Sequence, residues 1–212
     1  MKQQQAASGR GTVSHSSECD MPTAHGCFRM HVFAEAGSGR EHVALVMGDL
    51  GGEPAPLCRV HSECLTGEVL GSLRCDCGSQ LDDALARIAA LGRGILIYLR
   101  QEGRGIGLTE KIRAYALQDQ GLDTVEANER LGFDADLRNY RPAVDILAWF
   151  GLPQVRLMTN NPSKLSALRA EGVEVVNREP IIADPTAHNE AYLRTKRDRM
   201  GHLFDPLDGG ED

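Results

Sequence analysis

The sequence has no run of about 18 consecutive apolar residues, so it offers no segment able to span a bilayer as a helix. Its opening stretch, MKQQQAASGRGTVSHSSECD, lacks the apolar core of a secretory signal. A basic excess is missing too: the formal charge is −7, which argues against a protein that wraps nucleic acid. There is no internal repeat, low-complexity run or long linker. Six cysteines are present, but disulfide frameworks belong to short secreted chains, and 212 residues with 42% hydrophobic content can fill a core without staples. These absences predict a cytoplasmic protein with reduced thiols and no nucleic-acid or membrane partner.

Residues 1–20, rich in Gln, Ser, Gly and Ala without periodicity, read as a disordered leader, and 205–212 as a flexible tail. One catalytic domain is expected over 21–204. HVALVMGDL and APLCRVHSEC are apolar, β-branched runs that predict paired strands. From Ser79, the positions Leu81, Ala84, Leu85 and Ile88 share a helical face that ends at Gly92 and Gly94. GILIYLR then reads as a buried strand, followed by the glycine loop QEGRGIGL and a helix over roughly 109–120. Pro142 opens another helix, AVDILAWF, and QVRLMT is a second buried strand leading through NNPSK into a helix and on to VEVV. This alternation predicts an α/β fold, with functional loops at the carboxyl ends of the strands.

Chemistry concentrates in HSECLTGEVLGSLRCDC. In an extended strand Cys75 and Cys77 would face one side together, and Cys64 could return to supply a third thiolate, leaving a tetrahedral zinc with one open position. The alternative is three buried, inert cysteines, which the surrounding Arg, Asp, Gly and Ser disfavour. A zinc with an open position makes water nucleophilic at neutral pH, so hydrolysis leads. His61-x-Glu63 superficially resembles the zinc deaminases, but their P-C-x-x-C half is missing. QEGRGIGL places glycines 103, 105 and 107 around Arg104 where strand meets helix, a position that suits an anion and equally a plain turn. TNNPSK offers Thr159, two amides and Lys164, and equally an ordinary cap. FDADLRNY, by itself, reads as a solvated charged turn.

Taken together and in order, RVHSECLTGEVLGSLRCDCGSQL, YLRQEGRGIGLTEKIRAYALQDQGLDTVEAN, LGFDADLRNY and VRLMTNNPSK resemble the GTP cyclohydrolase II family over about 41–201. The resemblance implies a mixed β-sheet flanked by helices in a three-layer α/β/α arrangement. It implies zinc- and magnesium-dependent hydrolysis of GTP to formate, diphosphate and a diaminopyrimidine ribosyl phosphate, the step that opens riboflavin biosynthesis. On matching positions, Cys64, Cys75 and Cys77 are expected to bind one Zn²⁺, with Mg²⁺ accompanying the triphosphate. Arg59, Val60, His61, Ser62, Glu63 and Gln80 are expected at GTP, as are Glu102, Gly103, Arg104, Thr124, Thr159 and Lys164. Asp136 corresponds to the family's proton acceptor, Arg138 to its assigned nucleophile, and Tyr115 to a tyrosine beside the guanine. A guanidinium is effectively never deprotonated, so a phosphate clamp is the conservative role for Arg138. The resemblance also implies a homodimer. Departures are few: a longer leader, and Glu110 where an amide is common.

Overall fold

The computed structural model describes residues 12–204, apart from 135 and 184. The chain runs through β1 (Val13–Thr23), β2 (Gly26–Glu35), β3 (Glu41–Met47), β4 (Leu57–Ser62), α1 (Leu65–Glu68), α2 (Cys77–Leu91) and β5 (Gly94–Leu99). It continues through α3 (Leu108–Gln118), α4 (Thr124–Arg130), α5 (Arg141–Trp149), β6 (Gln154–Met158), α6 (Pro162–Ala170), β7 (Glu174–Glu179) and α7 (Glu190–Met200). A 3₁₀ turn, Glu102–Gly105, separates β5 from α3.

The strands form one mixed sheet in the order β1-β2-β3-β5-β4-β6-β7. β1, β2, β3 and β5 pair antiparallel, whereas β5, β4, β6 and β7 pair parallel. Alternation along β5 explains the layering, since successive side chains point to opposite faces. Ile95, Ile97 and Leu99 pack with Ile146 and Leu147 of α5 and Leu168 of α6, while Leu96 packs with Ala84 and Ile88 of α2 on the other face. Each such fully buried Leu or Ile contributes about 1.5–3 kcal/mol relative to exposure. The sheet is therefore flanked by helices on both faces, as the resemblance implies.

Local chemistry sets the helix ends. α2 stops where Gly92 turns left-handed at φ 63°. α4 begins with a reciprocal capping box between Asp123 and Glu126. α6 begins with Asn161, whose side chain accepts from the Ser163 amide at 2.9 Å, and with Pro162 in the first turn.

Three expectations need correction. β3 and β4 do not pair with each other: β5 lies between them, because the parallel β4–β5 connection is made by a crossover through α2. The leader does not extend to residue 20, since Val13–Thr23 forms β1 and satisfies its backbone along β2; residues 1–11 and the expected tail at 205–212 lie outside the described residues. Cys75 and Cys77 do not share an extended strand either. Cys75 sits in a bend and Cys77 opens α2, so a turn, not strand alternation, brings the thiols to one side.

Candidate active site

The parallel pairing of β5, β4 and β6 gathers their carboxyl ends on one edge of the sheet. The loops carrying Glu63–Cys64, Gln101–Gly107 and Thr159–Lys164 leave from there.

Cys64 caps α1, and its Sγ lies 3.7 Å from Cys75 Sγ. With Cys77, the three sulfurs all fall within 4.8 Å of one another. A tetrahedral zinc with ~2.3 Å bonds to sulfur separates its thiolates by about 3.8 Å, so the group fits this cluster. The chain leaves room at the same place: a Cβ on Gly67 would stand 2.8 Å from Cys75 Sγ and 3.3 Å from Cys64 Sγ. Hydrogen bonds from the Cys75 and Cys77 thiols, reinforced by Lys111, hold the Cys64 thiol well below its ordinary pKa. Lys111 Nζ donates to Cys64 Sγ at 3.1 Å and to Glu102 Oε1 at 2.8 Å. Glu102 in turn accepts from the amides of Leu65 and Gly103, each at 2.7 Å.

The cluster opens into a cavity lined by Ser62, Glu63, Glu102, Gly103, Tyr115 and Thr124. Glu63 is anchored by Arg100 Nε at 2.9 Å. Tyr115 projects from α3 with the Arg74 guanidinium 5.0 Å from its ring centre, and burial pushes its phenol up to about 12, so it is a hydrogen-bond donor at neutral pH. Arg104 adopts φ 60°, left-handed for a non-glycine residue, directly after Gly103 at φ 62°. That backbone is clamped by the Leu137 amide, which donates to the Arg104 carbonyl at 3.1 Å. One guanidinium nitrogen of Arg104 is buried without a hydrogen-bond partner among the described residues.

A second cavity adjoins the first, and Ser62, Cys77, Arg104, Arg138 and Tyr192 line both. Its wall is cationic. Arg59 and Lys164 are 5% and 4% exposed, and Lys196 joins them from α7. Burial, then the neighbouring Arg59 and Arg138, drives the Lys164 amine well below its ordinary pKa. Among the described residues, the carboxylates Asp76 and Asp136 offset these cations, and both are engaged: Asp76 accepts from Lys196 at 2.5 Å and Asp136 accepts from Arg138 Nε at 2.8 Å. Burial raises the Asp136 carboxyl, but the hydrogen bond and charge of Arg138 outweigh it and leave the group below its usual range.

The remaining expected positions fall around this second cavity. Arg59 donates to the Met158 carbonyl at 2.8 Å and to Gln80 Oε1 at 2.7 Å. Thr159 is buried at the end of β6, with its hydroxyl accepting from the Asn161 amide at 3.0 Å. His61 lies beneath the wall, bonded at 2.8 Å to Glu68, whose second oxygen accepts from Tyr98. Val60 differs: its side chain belongs to the core, and only its carbonyl, accepting from Lys164 Nζ at 2.6 Å, touches the site.

Sequence reasoning missed Lys111, Tyr192, Lys196 and His202, all of which line these cavities. Lys111 stands one turn before Tyr115 on α3, and that i,i+4 spacing was a usable signal.

A thiolate cluster that opens onto a cationic hollow is the arrangement of a metal-dependent enzyme acting on a small anionic molecule. Comparison with known proteins narrows this class. The family model described as GTP cyclohydrolase II matches residues 14–180, and the chain belongs to that family. The GTP cyclohydrolase-2 of Hahella chejuensis is 56% identical over 193 residues, covering 91% of this chain and 93% of its own length. A riboflavin biosynthesis protein of Vibrio vulnificus is 57% identical over 193 residues, but this chain spans only 53% of it. Among solved structures, the two-domain 3,4-dihydroxy-2-butanone 4-phosphate synthase RibBX from A. baumannii is similar with a TM-score of 0.47 and 20% identity, over 82% of this chain and 41% of that one.

Proposed function

We propose that the chain hydrolyses GTP, releasing formate from the base and diphosphate from the triphosphate, and so opens riboflavin biosynthesis. The family relationship names the reaction, and one observation carries it to these residues: the thiolate cluster and the cationic hollow are two halves of one site, joined through Arg104, Arg138 and Tyr192. A nucleotide laid across that junction has its base at the cysteines and its phosphates at the cations.

Cys64, Cys75 and Cys77 would hold the zinc ion. When bound, zinc makes water nucleophilic near neutral pH, as attack on C8 of guanine requires. Tyr115, protonated at neutral pH, donates a hydrogen bond toward the opening imidazole ring. Lys111 and Glu102 fix the position of Cys64 and of the loop below it.

Arg104, Arg138, Lys164 and Lys196 clamp the phosphates. Arg138, gripped by Asp136, keeps its proton and presents a planar donor suited to bidentate phosphate contact. Asp136 accepts hydrogen bonds and aims that guanidinium. Mg²⁺ would be held chiefly by the triphosphate, since Asp76 and Asp136 are already committed to Lys196 and Arg138. Arg59 and Gln80, joined by a hydrogen bond at 2.7 Å, line the cationic half.

Cytoplasmic residence and a homodimer complete the reading, both on the family relationship, and sedimentation velocity checks the second. The described helices include none long and apolar enough to cross a membrane. The deciding experiment incubates purified protein with GTP and assays formate, diphosphate and ammonia separately. Formate with diphosphate supports the reading. Ammonia without formate indicates deamination, and no product indicates a nucleotide-binding module.

A further inference from the structure

The hairpin of β1 and β2 carries a second group of potential ligands on the α5 side of the sheet, away from the cysteines. We infer that His15, Glu18 and His31 form a separate binding site for a divalent first-row transition ion of the zinc class. His31 Nδ1 lies 3.0 Å from Glu18 Oε2 and 3.3 Å from His15 Nε2, and His15 Nε2 lies 3.5 Å from the same Glu18 oxygen. Ligand atoms about 2.0–2.1 Å from a tetrahedral ion stand roughly 3.3 Å apart, so these three atoms form the triangular face of such a site and leave its fourth corner open. Two imidazoles and a carboxylate are the donors such ions accept.

The convergence is built by the strand. Residues 15 and 18 would face opposite sides of a regular strand, but the register shifts between His15 and Ser17. That bulge turns both side chains to one face, where Glu18 stands opposite His31 and His15 opposite Phe33. Neighbours fix the rings. His15 stacks on Trp149 with centroids 4.6 Å apart, and His31 meets the edge of Phe150 at 5.0 Å. Arg29 holds the other Glu18 oxygen at 2.8 Å, leaving the one that faces the imidazoles free to coordinate.

The alternative is a cluster held by hydrogen bonds alone, and Trp149, the chain's single tryptophan, separates the two. Protein with its cysteine cluster already loaded is titrated with Co²⁺, in a Cys19→Ser, Cys27→Ser background that removes both exposed thiols of the hairpin. Saturable quenching of Trp149 emission by one further equivalent, reversed by chelator, is expected. The accompanying cobalt spectrum should lack thiolate charge transfer. Glu18→Gln, which spares the ring stacking, and His31→Gln should each weaken this binding about tenfold or more without removing the first equivalent. Absence of saturable quenching would overturn the inference, and so would quenching of undiminished affinity in both variants. Neither outcome depends on the reaction proposed above.

Discussion

The Lys111 ammonium points at the Cys64 thiolate from 3.1 Å away, tying α3 to the thiol cluster. A hydrogen bond to a ligand sulfur supports metal retention without making the lysine a ligand. Lys111→Met should therefore weaken zinc affinity about 10–100-fold, as loss of an outer partner does elsewhere. Chelator competition measures it, and unchanged affinity would reduce the contact to packing.

Cysteine and arginine substitutions should separate the two halves of the reaction. Cys75→Ser is expected to lose zinc and formate release while some diphosphate release survives, because the cations lie outside the thiol cluster. Arg138→Ala should lose diphosphate release with zinc still bound. Paired time courses of both products, with metal content checked on each variant, test this. Formate release at the unsubstituted rate in Cys75→Ser would place the ring-opening chemistry elsewhere.

Tyr115→Phe removes a donor and little volume. If the phenol stabilises charge on the opening ring, kcat should fall about a hundredfold with KM nearly unchanged. A raised KM with normal kcat would assign Tyr115 to substrate binding.

Acid should destabilise the fold through its buried histidines before most carboxylates titrate; Glu68, pushed up to about 7 by burial, opposes this in part, because its folded form takes up a proton earlier than its unfolded form. Burial pushes the His42 imidazole down, among Glu35, Arg40 and Arg100, and takes His202, beside Lys196, Arg104 and Arg138, to about 3. The His202 ring is thus neutral in the folded state through mild acid and the His42 ring is shifted in the same direction, whereas an unfolded histidine binds a proton below about 6.5. Their stabilisation is complete above that pH and is lost as pH falls toward the folded values, by up to ~1.4 kcal/mol per pH unit for each ring. Urea midpoints should decline from pH 7 to pH 5, with a shallower decline in His202→Gln; parallel profiles would exclude His202 as a source.

Some of this architecture is readable in the chain and some is not, for physical reasons. β5 and β6 announce themselves as apolar runs because they lie inside the sheet with helices over them. β1 is polar because it is an edge strand whose residues are mostly exposed, so HSSECD gives no apolar alternation to detect. The thiol spacing reveals the cluster, but its shape depends on a turn packed against Gly67 and Gly78, where a Cβ on Gly78 would fall 2.5 Å from the Gly67 carbonyl oxygen. Tyr192 and Lys196 stay hidden because α7, EAYLRTKRDRM, has no apolar stripe, and its docking rests on contacts such as Lys196 to Asp76 across 120 positions.

That last contact joins two parts of the molecule thermodynamically. Asp76 lies between two of the clustered cysteines and receives the Lys196 ammonium of the C-terminal helix at 2.5 Å. The turn that arranges the thiols is thus the same turn that anchors the helix carrying Tyr192 to the wall of both cavities. Were an ion bound by the three cysteines, its loading and the seating of the final helix would be expected to favour each other by the same free energy.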